Sequence, residues 1–508
     1  MKVLKRLESN KNTWIVLFVL ILFFLLRLPS FFEPYWYGDE GVYQAVGMAV
    51  RDNKLLYKDI WDNKPPLIYV VYSVFNSNQF GVRVVSLLFG ISSVFIFFLL
   101  AKTLFKDTKN FKIYFFSTLV FALLFGLPII EGNIANAENF MLLPILAAGF
   151  LIFITSSIPT YKPSHHKKSS NSYLIPNTYY RILFLSGFLL GIAFLFKVVA
   201  TFDFVAFLAF IAIVALPQKP KITNIKQFLK QIALFPVGLL SPILLTALFF
   251  IFKGGFNDFL QAVFLQNIGY VGYENTFIIP QGLILLKLIL LLAFVFYIFK
   301  IRKILSLTAI FILVWFAFSL FNAFFAQRPY SHYLLVLAPS FSLMLGLILW
   351  DQKHKKAIAS FLIVSALFIL NNFYFFSKPI TYYQNFTDFI ANKKSVSEYQ
   401  GFFDKRTPID YEVASFLKSR LNDNDSMFVW GNNPQLYKLV NVVPPTKYVA
   451  AYQITNYQES VANTIETLER VQPRFIVITS NPESMPLSLF DYSAGVRING
   501  AIIYERIF

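Results

Sequence analysis

The chain has 508 residues, of which 56% are hydrophobic and only 14% charged, well under the roughly 25% of soluble domains. Its formal charge of +18 is unevenly placed: 32 basic and 14 acidic residues precede Ser377, and 13 of each lie from there to the end. A basic surplus confined to the apolar part belongs to loops flanking membrane spans, which excludes nucleic acid as its partner, and the lack of cysteine excludes disulfides and thiolate metal sites.

The first apolar run follows Lys2, Lys5, Arg6 and Lys11, as in a signal peptide. No small-residue cleavage site precedes Pro29, so the run is expected to stay as a span. Apolar runs of about 17–22 residues then recur, each long enough to cross a hydrocarbon core of about 30 Å as a helix. Eleven spans are expected, near 13–32, 81–102, 112–130, 139–157, 181–197, 200–216, 231–252, 280–299, 303–325, 331–350 and 357–376. Lipid tolerates no unpaired backbone, so the fold class expected is an all-α polytopic membrane domain over residues 1–376.

Alternate loops separate by charge. Basic clusters fall at the N-terminus and in 102–112, 162–181, 219–230, 300–303 and 353–356, which the positive-inside rule places in the cytoplasm. The loops near 33–80, 131–138, 253–279 and 326–331 hold most of the acidic residues of this part and are expected outside. The run from 181 to 217 is too long for one crossing and is split near Lys197. An odd number of spans then puts the tail outside.

The tail, residues 377–508, changes to shorter apolar runs. It predicts helices at 411–421 and 461–471 and strands at 426–430 and 475–479, a small α/β extracytoplasmic domain. It has no glycine-rich phosphate loop or nucleophile elbow, so no chemistry is assigned to it.

The first outer loop carries the densest polar pattern. It reads Tyr37-Gly-Asp-Glu-Gly-Val-Tyr43, followed by Leu56-Tyr-Lys-Asp-Ile-Trp-Asp-Asn-Lys-Pro-Pro-Leu67. Between them Val42, Ala45, Val46, Ala49 and Val50 recur at helical spacing, predicting a helix lying in the interface with its apolar face in lipid. Successive helical residues point about 100° apart, so Asp39 and Glu40 can serve different roles, one facing a substrate and one facing a supporting group or cation. A carboxylate within reach of an acceptor hydroxyl can remove its proton. The pair could equally do no more than favour a helix N-terminus.

These elements resemble a known family. The GDE-x-x-Y element, the Y-x-D-x-x-x-x-K-P-P-L element and Gly81-Val-Arg-Val-Val-Ser-Leu-Leu-Phe-Gly90 are similar to the bacterial branch of the protein-O-mannosyltransferase superfamily, which includes lipid A aminoarabinose transferases. The likeness continues in order through 131–138, Gly191-Ile-Ala-Phe-Leu-Phe-Lys197, 267–270 and Arg328-Pro-Tyr-Ser-His-Tyr-Leu-Leu-Val-Leu-Ala-Pro339. It implies the C-type integral membrane glycosyltransferase fold and an inverting transfer from a polyprenyl-phosphate sugar, with Asp39 as base and Glu40 as its adjacent acid. The precise acceptor motifs of the mannosyltransferases are not evident, so the resemblance does not imply a protein acceptor, and a glycan, a lipid or a protein stays open.

Cations form the second constellation. Lys64, Arg83, Lys197, Arg328 and His332 all fall in outer loops or at outer span ends, a common depth that suits a phosphate leaving group as it gains charge. The bland account is that Arg83 and Arg328 snorkel and that Lys197 pairs with Asp203. Glu138 is a candidate substrate or metal contact, or simply an acid in a first helical turn beside a capping Asn136. Tyr270, Tyr273 and Glu274 could stack on a sugar, and Tyr333 follows His332 in the same outer segment. Arg27 either approaches the acidic pair or snorkels outward. No outer histidines show metal-ligand spacing, and a divalent cation on carboxylates stays open. Competing readings are a transporter or flippase of lipid-linked sugars and a non-catalytic cell-envelope assembly protein; intramembrane charges are few, Lys287 being the clearest.

Overall fold

The computed structural model describes residues 11–106, 111–157, 174–217, 221–267, 284–456, 459–480, 485, 488–493 and 495–507. The long helices are α1 (Lys11–Arg27), α4 (Gln79–Leu104), α6 (Ala137–Ser157), α7 (Leu174–Phe196), α8 (Thr201–Ala215), α10 (Leu234–Phe252), α12 (Ile284–Ile301), α13 (Leu307–Phe325) and α15 (Lys355–Asn372). With short 3-10 extensions, all nine are long and apolar enough to cross a membrane, and α5 (Lys112–Gly126) and α14 (Ala338–Trp350) are shorter apolar helices. Among the described residues these eleven helices fall at the positions of the eleven expected spans, nine of them at spanning length. The protein is a multi-pass membrane protein.

Burial separates the inner helices from the outer ones. Most of α13 is buried, whereas α12 shows Leu285, Ile289, Leu292 and Phe296, and α10 shows Leu244, Leu245 and Phe252. Apolar side chains left outward at these positions have lipid tails as their solvent. The expected break at Lys197 is present: α7 ends at Phe196, Lys197 has extended backbone (φ −156°, ψ 129°), and the chain restarts through Val198–Ala200 into α8.

Three shorter helices sit at one end of this set: α2 (Gly38–Arg51), α3 (Leu67–Val74) and, after the exposed α9 (Ile222–Ile232), α11 (Phe256–Leu260). The apolar stripe of α2 does not face lipid, contrary to its expected interfacial position. Val42, Ala45, Val46 and Ala49 are buried, and α2 packs on α3 and on a helix of the tail. Periodicity measures an apolar face and not its partner, and protein covers this one.

Beyond α15 the chain forms α16 (Pro379–Ile390), α17 (Val396–Phe403), α18 (Thr407–Lys418), β1 (Met427–Trp430), α19 (Gln435–Val440), α20 (Ala451–Asn456), α21 (Ser460–Val471), β2 (Phe475–Ile478), β3 (Val496–Ile498) and β4 (Ala501–Glu505). The sheet order is β1-β2-β4-β3, with β1 and β2 parallel and the other pairs antiparallel. Helices α19 to α21 form the crossover that parallel strands require. This unit is tied to the loops above the spans: Trp61 N donates to Lys447 O (2.8 Å), Lys54 Nζ to Pro444 O (2.5 Å) and Lys438 Nζ to Asn76 O (2.7 Å).

Candidate active site

Asp39 and Glu40 open α2, and their environments differ as their 100° separation allows. The Glu40 side chain is 2% exposed and is gripped by Arg83, whose Nη2 lies 2.5 Å from Oε2 and whose Nε donates to Oε1 at 3.1 Å. The Ala135 N–H also donates to Glu40 Oε1 (3.1 Å). Arg83, itself fully buried, reaches Glu33 at 2.9 Å and donates to Ser30 O at 2.5 Å. Pairing of this kind offsets the cost of burying the charges. Arg83 is thus not among the cavity-lining side chains, contrary to its expected position beside a donor phosphate.

The Asp39 side chain is 39% exposed and opens into a cavity of about 780 Å³. Tyr37, Asp62, Lys64, Glu138, Lys197, Asn267, Arg328, His332 and Tyr333 share its walls. Loops that the charge pattern assigns to one side of the membrane therefore converge on one space. Lys64 Nζ lies 3.6 Å from Asp39 and 4.8 Å from the Tyr43 ring centre. Burial raises the Asp39 carboxyl, but Lys64, then His332 and Lys197, outweigh it and hold the group below its ordinary range. It is ionised at neutral pH.

A second cluster shares the cavity. Lys197 is paired with Glu138, and its ammonium sits 4.4 Å from the Tyr333 ring centre. The bland expectation that Lys197 pairs with Asp203 is corrected: Asp203 accepts from Trp315 Nε1 at 2.8 Å. His332 lies between two carboxylates, with Nδ1 3.0 Å from Glu131 and Nε2 3.8 Å from Glu138. Glu131 also accepts from Tyr37 and from Ser331 Oγ (2.7 Å). Burial, then the Glu131 and Asp39 charges, keep the Tyr37 phenol well above its usual range, so it stays a donor. The expected Asn136 cap on α6 is not what the structure shows: its amide donates to the Tyr37 hydroxyl at 3.5 Å.

Arg27 is buried and donates to Ser86 Oγ (3.2 Å) and Asn133 O (3.4 Å) instead of snorkelling. Tyr270, Tyr273 and Glu274 lie outside the described residues. Among the described residues no three His, Asp or Glu side chains gather as a metal site. Two of the cavity carboxylates have cations as neighbours, Asp39 with Lys64 and Glu138 with Lys197.

Several participants were not singled out from sequence. Glu33 anchors Arg83 and accepts from Tyr382 (2.6 Å) and Asn133 (2.8 Å); nothing in its local pattern marks it. Asp62 lies within a quoted motif and accepts from Tyr69 at 2.6 Å. Asn432, Pro434, Tyr452 and Asn456 of the tail also line the cavity.

The structure of ArnT from Cupriavidus metallidurans bound to undecaprenyl phosphate is similar over 97% of this chain and 98% of that one, at a TM-score of 0.55 and 11% identity. The chain shares the fold of that ArnT structure. The oligosaccharyltransferase AglB from Archaeoglobus fulgidus, in complex with an inhibitory peptide and a dolichol-phosphate, is similar at a TM-score of 0.48 and 11% identity, over 98% of this chain and 74% of that one. No known family profile and no curated protein matches the sequence.

Proposed function

We propose that the protein transfers a sugar from a polyprenyl-phosphate-linked donor to an acceptor hydroxyl on the outer face of the membrane. The observation that carries this is Asp39, a carboxylate exposed to a cavity whose walls also hold Lys64, Lys197 and Arg328. The acceptor oxygen attacks the anomeric carbon as the bond from that carbon to the phosphate oxygen breaks. Asp39 takes the hydroxyl proton, and the polyprenyl phosphate leaves as an anion toward the cations. Attack opposite the leaving group inverts the sugar. Glu40 and Arg83 hold α2 in place. The undecaprenyl phosphate named with ArnT supports a polyprenyl phosphate as carrier.

The direct test incubates the purified full chain with a panel of polyprenyl-phosphate sugars. Protein-dependent loss of at least one donor is expected; loss of none rejects the reading. A Lys197→Met, Glu138→Gln double variant removes the cation without stranding its carboxylate. Its donor affinity should fall about ten- to hundredfold, the range for hydrogen bonds to a charged group. Unchanged affinity would remove Lys197 from the donor site.

The residues from 377 onward form the extracytoplasmic domain in this proposal, with the N-terminus in the cytoplasm. A reporter fused after Phe508 should be active outside and silent inside. The opposite pattern would place the cavity on the cytoplasmic face.

A further inference from the structure

The cavity wall contributed by the tail differs chemically from the rest. Lys64, Lys197 and Arg328 carry charge, whereas Asn432, Pro434, Tyr452 and Asn456 carry none. Asn432 is exposed between buried Gly431 and Asn433, and Tyr452 is 39% exposed.

This wall is built rigidly. Asp410 of α18 is buried and accepts from Asn433 Nδ2 (3.0 and 3.2 Å) and Gln435 Nε2 (2.9 Å), gripping the loop on both sides of Pro434. Thr479 Oγ1 donates to Asn433 Oδ1 at 2.9 Å, and Ala451 N to Gly431 O at 2.8 Å. The Asn432 side-chain oxygen Oδ1 accepts from Tyr452 N at 3.1 Å, and the other end of this cavity-lining amide is an NH₂ donor.

The loop is also seated against the helix of the base. A Cβ at Gly41 would stand 2.8 Å from Gln435 Oε1, 2.9 Å from Gln435 N and 3.2 Å from Pro434 Cγ. Glycine is what lets residues 434–435 touch α2 two positions after Asp39. The uncharged wall therefore adjoins the helix that carries Asp39.

We infer that residues 432 and 434, with Tyr452 and Asn456, form a recognition wall for a hydroxyl-rich sugar ring. Amide donors suit hydroxyls, and an aromatic face packs on the C–H face of a ring, while a phosphate would be drawn to the cationic walls. The inference rests on the sugar-transfer reading. The ring belongs to the donor or to a glycosylated acceptor, and the two are separable.

The test uses the purified full chain and its Asn432→Leu, Asn432→Ser and Tyr452→Ala variants, each checked for folding by thermal melting. Three probes are compared: undecaprenyl phosphate without sugar, the undecaprenyl-phosphate sugar that wild-type protein consumes, and octyl glycosides as acceptors. Undecaprenyl phosphate should bind all variants as it binds wild type. KM should rise about five- to tenfold for the sugar donor if the wall takes the donor ring, or for the octyl glycoside if it takes the acceptor ring. Folded variants with both KM values unchanged would overturn the inference, as would an equal loss of affinity for undecaprenyl phosphate. Wild-type protein that consumes no donor fails at the earlier step, and the wall falls with it. An active wild type with unaffected variants sinks the wall alone.

Discussion

Asp39→Asn protein, folded and inserted, should lose about 10²- to 10⁴-fold of turnover, the usual contribution of a positioned general base. Donor affinity should persist, because the amide keeps the size of the carboxylate and removes its basicity. The pH profile sharpens this. The Asp39 carboxyl lies below its ordinary range, with Lys64 the largest influence lowering it. A depressed carboxyl stays ionised as pH falls through the ordinary carboxylate range, so the acid limb of turnover should lie below that range. Lys64→Met removes the lowering charge and should move the limb to higher pH. Full turnover in folded Asp39→Asn protein would eliminate the base, and an unmoved limb in Lys64→Met would assign the limb to another group.

Much of this site was legible because membrane constraints are strong. Length alone broke the run around Lys197, since no single helix of that length suits a bilayer, and the break puts Lys197 into the cavity with Asp39. The same parity brought Glu138, Arg328 and His332 to one side. The angular argument at Asp39 and Glu40 anticipated one exposed and one supported carboxylate. What stayed hidden were partners distant in sequence. An apolar stripe on α2 looks alike whether lipid or α19 covers it. Asp410, Asn433 and Gln435 carry no motif, and their roles arise only once the tail docks on Gly41. Arg83 was misplaced for a related reason. A cation near a span end reads as a phosphate contact when the carboxylates that neutralise it, Glu33 and Glu40, lie some 50 and 43 positions away.

That misplacement sets the other large effect. Arg83→Ala leaves Glu33 and Glu40 facing one buried space without their shared cation, and breaking a buried ion pair from one side costs about 3–5 kcal/mol. Against a typical folding stability of about 5–15 kcal/mol this is a large fraction, so the yield of folded protein and the melting temperature should both drop. Arg83→Lys should rescue only partly, because one ammonium cannot reproduce the two contacts of Nε and Nη2 with Glu40. In the surviving folded fraction, KM for the donor should change little while kcat falls, since the loosened residue is the support of the helix carrying Asp39. Melting curves read with the kcat and KM split separate this role from a phosphate contact. An Arg83→Ala protein with wild-type melting and strongly weakened donor affinity would return Arg83 to the donor and leave Glu40 without the role assigned to it.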